Sequence, residues 1–116
     1  MAQNRNKLID LFVGNLSNHV VHKILEKAVD DKELAGKYEK EFLNSFEIAK
    51  RYRKKINPMA KPFPEKDAKL IKGKITNKVR TELLLRISRG YKNIDLDLVD
   101  ELIDNALKDS RITWGT

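Results

Sequence analysis

The chain contains no cysteine. Disulfides, thiol nucleophiles, iron–sulfur clusters and cysteine-ligated zinc are therefore excluded, and a reducing, cytoplasmic setting is the expectation. Long apolar runs are also missing. The longest, such as Leu83–Leu85, are three residues, whereas a membrane span needs about 20. Residues Met1–Lys7 lead into a short apolar patch without a cleavage-site pattern, so no signal peptide is expected. The five glycines are widely separated, which leaves no phosphate-cradling loop and no Gly-x-Ser-x-Gly elbow. No long apolar/polar alternation marks a strand. His19 and His22 are the only side chains suited to base catalysis near neutrality, and no nucleophile is tied to them. These absences point to a non-enzymatic protein that needs no cofactor and no membrane.

What is present is enough for one core. The chain has 116 residues, of which 41% are hydrophobic, a size and content that suit a single domain. The apolar residues recur at the helical period, and an all-α bundle of about five helices is expected. The first helix covers about 4–13, and Gly14-Asn15 supplies a stop because both residues tolerate the left-handed conformation. A second, capped by Ser17 or Asn18, runs to about Val29. The third and fourth are the longest, at about 32–56 and 65–89. The third carries the stripe Leu34, Tyr38, Phe42, Phe46, Ala49, Tyr52 and Ile56, and the fourth carries Ile71, Ile75, Val79, Leu83 and Ile87. A fifth extends from about Asp95 or Asp97 to Leu107.

Pro58, Pro62 and Pro64 are the only prolines, and they mark a linker over 57–64 between the two long helices. Each half is small for an independent core, so residues 1–109 read as one domain. Residues 110–116 read as a flexible tail, in which Trp114 either docks on the bundle or serves a partner.

Charge is distributed unevenly. Between Lys50 and Lys92 there are fifteen bases and three acids, a net of +12, while the rest of the chain is −5, giving the total of +7. Such a segment attracts polyanions, because weak attractions to many phosphates add. The candidate nucleic-acid-binding residues are Lys50, Arg51, Arg53, Lys54 and Lys55, extended by Lys66, Lys69, Lys74, Lys78 and Arg80 on the fourth helix. The expected partner is nucleic acid, DNA or RNA, or else an acidic protein. The competing class is a protein–protein module or homo-oligomer whose bases only keep it soluble. Asp97, Asp100, Glu101 and Asp104 on the fifth helix would cancel part of the field if that helix lay antiparallel to the fourth. They lack the central glycine of a calcium loop, and the first-turn dipole together with basic neighbours accounts for them.

Two further patterns are weighed. Leu8 to Leu25 resembles a helix-turn-helix, which implies a reading helix bearing Asn18, His19, His22 and Lys23. The turn after Gly14 is one residue too long, however, and Asp10 stands where a small apolar residue is needed, so an ordinary αα-hairpin is preferred. His19, His22 and Glu26 fall at i, i+3 and i+7, a donor set suited to a metal. Spacing alone does not make a site, and a solvated helix face is the expectation, with no metal assigned.

Overall fold

Local capping chemistry sets most of the helix boundaries. The computed structural model describes residues 4–58, 61 and 63–113 and contains four α-helices: α1 Arg5–Ala28, α2 Lys32–Ile56, α3 Glu65–Ser88 and α4 Val99–Asp109, the last entered through a 3-10 turn at Leu96–Leu98. No strand occurs among the described residues. Asn4 caps α1 by accepting from the Asn6 N–H at 2.8 Å. Asp31 caps α2 by accepting from Glu33 and Leu34. α2 stops at Asn57, ahead of Pro58. α3 starts after Pro64 with Glu65 and Asp67 in its first turn, where the helix dipole favours acids. It ends in a Schellman motif: Gly90 adopts φ +103, its N–H reaches Ile87 O, and Tyr91 N–H reaches Arg86 O.

The all-α expectation holds, with four helices rather than five. Gly14-Asn15 does not break the chain, and the two short helices expected over 4–29 are one. The reason is energetic. An interior glycine weakens a helix by about 1 kcal/mol. Phe12, Val13, Leu16, Val20, Ile24 and Leu25 continue in phase across this point, each at most 1% exposed, and burying each contributes roughly 1.5–3 kcal/mol. Asn15 spends its side chain on the helix itself, donating to Leu11 O at 2.8 Å. The helix-turn-helix and the αα-hairpin over Leu8–Leu25 are both thereby ruled out.

α1 is the central element, buried around most of its circumference. α2 packs antiparallel to it, as the contacts Asn18 to Ser45 and His22 to Glu41 show. α3 runs parallel to α1, with Arg5 paired to Asp67 and Asp10 to Lys74. α4 returns antiparallel to α3, with Arg80 paired to Asp100 and Lys72 to Asp104. The result is an up-down-up-down bundle measuring 42 × 28 × 23 Å. At one end, the Tyr38 and Tyr91 hydroxyls bond at 2.8 Å and tie α2 to the loop after α3.

At the other end, residues 110–113, expected to fray, are docked. Arg111 takes φ +62, Ile112 N–H reaches Leu107 O, and Arg111 N–H reaches Lys108 O. This is a second Schellman motif, built without glycine. It carries Ile112 (1% exposed) onto Leu107 in the core. Trp114 lies outside the described residues.

Candidate functional site

The bases of the central segment divide into three groups. Six have a carboxylate partner. Lys50 meets Glu47 at 3.1 Å, Lys69 meets Glu65 at 3.5 Å, and Arg86 meets Glu82 at 3.1 Å, all within their own helices. Lys72 meets Asp104 at 2.8 Å, Lys74 meets Asp10 at 3.3 Å and Arg80 meets Asp100 at 3.4 Å, across helix interfaces. Three of the candidates on α3, Lys69, Lys74 and Arg80, are therefore already answered within the fold.

Arg53 forms the second group alone. It is 0% exposed, so no phosphate reaches it, and it does not belong to a contact surface. Its guanidinium donates to the carbonyl and side-chain oxygens of Asn57 and to Arg111 O at 2.9 Å. It also stacks on Phe63 at 4.9 Å. Burial pulls its pKa down, yet a guanidinium stays charged at neutral pH. Arg53 thus joins the end of α2, the linker and the C-terminal turn.

The third group has no carboxylate partner among the described residues: Arg51, Lys54, Lys55, Lys61, Lys66, Lys78, Arg89 and Lys92, all exposed. Five of them, Arg51 to Lys66, bracket the corner where α2 passes into α3. At 100° per residue, Arg51, Lys54 and Lys55 share the face of α2 opposite Ala49 and Arg53. The Lys61 N–H reaches Pro58 O at 3.0 Å. Phe63 is 5% exposed and lies between Arg53 and Arg5, which fixes the linker against the bundle. Lys66 stands between Glu65 and Asp67, but these are engaged by Lys69 and Arg5. Tyr52 packs against the core, with the Lys55 ammonium 5.7 Å from its ring. These contacts leave its ring only partly exposed.

The histidines do not lie on a solvated face. His19 and His22 are each 8% exposed and lie between α1 and α2. His19 Nδ1 lies 2.7 Å from Phe42 O, which assigns the proton to that nitrogen, and its ring packs on Phe42 and Phe46. Burial pushes the His19 pKa down, more than the bond to Phe42 raises it. His22 Nδ1 faces Asn18 O at 2.8 Å and Nε2 faces Glu41 at 2.6 Å. Among the described residues, no group of three or more His, Cys, Asp or Glu side chains is placed to hold a metal ion. No described helix is long and apolar enough to cross a membrane.

A groove of about 450 Å³ follows the seam between α1 and α3, lined by Asp10, Lys74, Asn77, Lys78, Thr81 and Glu82. A smaller one of about 270 Å³ shares Lys78 and Glu82 and is otherwise lined by Gly14, Ser17, Asn18 and Val21. We found no match to the chain among protein-family models, curated proteins or solved structures.

Proposed function

We propose that this chain is a small non-enzymatic protein that binds nucleic acid at the corner between α2 and α3, through Arg51, Lys54, Lys55, Lys61 and Lys66. One observation carries the reading: these five cations are exposed and lack carboxylate partners among the described residues, while most of the α3 bases are paired. The mechanism is neutralisation of phosphates with release of condensed counterions. With Tyr52 packed inward, the surface reads the backbone rather than base identity.

Five phosphate contacts give a slope of log K against log salt of about −4 to −5, a loss on the order of 500-fold between 50 and 200 mM salt. Fluorescence anisotropy with short DNA and RNA duplexes over a salt series measures this directly. Lys54→Glu with Lys55→Glu abolishes binding while the circular dichroism spectrum stays unchanged. Binding that survives this double substitution overturns the assignment of the site. The competing class, a homo-oligomer with no nucleic-acid role, would show as a dimer by light scattering and no retention on heparin.

A further inference from the structure

The leucines of α3 point in two directions. Ile71, Ile75, Val79 and Leu83 are fully buried, yet Leu70 is 53% exposed, Leu84 55%, Leu85 41% and Ile87 39%. At 100° per residue, Leu70, Asn77 and Leu84 fall within about 40° of one another, directly opposite the buried stripe. Leu70 and Leu84 are separated by about 21 Å along the axis. Between them, Gly73 presents bare backbone, and beyond its own helix backbone and chain neighbours nothing lies within 4 Å of where a Cβ would stand. Gly73, Asn77 and Thr81 separate the two leucines on this line, which therefore carries two exposed apolar anchors with no charge between them, and the bundle covers neither.

The flanks of this stripe identify what covers it. Lys66 lies on this line and Lys69, Lys74 and Arg80 border it, and Lys66 has no carboxylate partner among the described residues; Lys78 lies at the α1–α3 seam instead. The carboxylates of α3 itself, Glu65, Asp67 and Glu82, are all engaged by Lys69, Arg5 and Arg86. A second copy's α3 would set this basic helix against itself. A second copy's α4 is acidic, but its apolar residues Val99, Ile103, Ala106 and Leu107 are already buried within its own bundle. Nucleic acid would lay phosphates over bare leucines.

We propose that the outer face of α3 docks an acidic amphipathic helix of a partner protein. Its apolar residues cover Leu70 and Leu84 across the gap at Gly73, and its carboxylates approach Lys66, with Lys74 and Arg80 on its flanks. This is the helix-on-groove mode of recognition, with anchors at helical spacing and charge setting the choice of partner. The surface shares Lys66 with the α2–α3 corner but adds leucines of its own, so substitutions at Leu70 and Leu84 test this reading without touching the other.

The probe is a fluorescein-labelled designed helix of about 21 residues, long enough to span Leu70 to Leu84, with leucines along one face and glutamates elsewhere. A second peptide replaces every glutamate by lysine. Anisotropy should show saturable binding of the glutamate peptide and none of the lysine peptide. Leu84→Asp should weaken binding about tenfold or more, as expected for loss of one buried leucine, and Leu70→Ala by less. Thermal melts confirm that both variants fold, since neither side chain is in the core. The proposal is overturned if the glutamate peptide does not saturate, if both peptides bind equally, or if neither leucine substitution matters. A dimer of the protein alone that Leu84→Asp dissolves also overturns it, by making a second copy the occupant.

Discussion

Replacing Arg53 tests how the corner is held together. The side chain is fully buried and makes three hydrogen bonds, two to Asn57 and one to Arg111 O, besides its contact with Phe63. Bonds from a charged donor contribute about 1.5–3 kcal/mol each when both partners are dry. Asn57 is only partly buried, and water can replace some of what it loses. The Phe63 contact adds up to about 2 kcal/mol. Against these stands the cost of burying a guanidinium with no carboxylate beside it among the described residues, which is several kcal/mol. The electrostatic part therefore nets to little more than about 1–2 kcal/mol, and the stem's packing supplies the rest.

Arg53→Ala removes both parts and leaves a cavity, so the loss should be about 3–4 kcal/mol. Arg53→Met keeps the stem and discards the charge, and the loss should be about 1–2 kcal/mol. Urea unfolding at neutral pH with linear extrapolation measures both. In the alanine variant, the amide of Ile112 should exchange far faster, because its turn loses the anchor at Arg111 O. An alanine variant within about 1 kcal/mol of the parent, with Ile112 still protected, would refute the role given to this residue.

Two further outcomes follow from the same geometry. Gly14→Ala should stabilise the protein by about 0.5–1 kcal/mol, because Gly14 lies inside a continuous helix and an added methyl meets nothing within 4 Å; destabilisation in a thermal melt would restore a turn at this position. His19 should make the fold sensitive to acid. Its folded-state pKa is lowered from 6.5, chiefly by burial, so the unfolded chain takes up the proton first. Its contribution is intact above about pH 6.5 and is lost as the pH falls below that value towards the lowered pKa. The urea midpoint should fall between pH 7.5 and 5.5 in the parent and fall less in His19→Gln, and equal slopes would remove His19 as the cause.

The helices that were legible are those whose ends are decided locally. Asp31, Asn57-Pro58, Pro64-Glu65 and Gly90 fix α2 and α3 through caps that a few neighbouring residues complete. Gly14-Asn15 carries the same kind of local signal, but there the outcome is decided by burial against α2, α3 and α4 together. The continuous phase of Phe12, Leu16, Val20 and Ile24 across that point was the evidence against a break. The C-terminal turn offered less, because its left-handed residue is Arg111 rather than glycine. Only Ile112, placed to meet Leu107, hinted at it. Arg53 was readable in principle: it follows Ala49 by four on the buried face of α2, and its charge concealed its position.

The charge pattern shows most clearly what a sequence withholds. Fifteen bases among three acids describe a strong local field only while the chain is considered in isolation. Parallel packing of α1 brings Asp10 to Lys74, and antiparallel packing of α4 brings Asp100 and Asp104 to Arg80 and Lys72. Each such exposed pair contributes little to stability, about 0–1 kcal/mol, but together they decide where the field survives. It survives at the α2–α3 corner, where the nearby acids are engaged by Lys69 and Arg5. Along the outer face of α3 the bases instead border exposed leucines, a combination that suits a protein helix better than a phosphate backbone. One basic segment is thus divided into a corner of unpaired cations and a helix whose bases are mostly paired, and the difference arises from which acids the fold brings within reach.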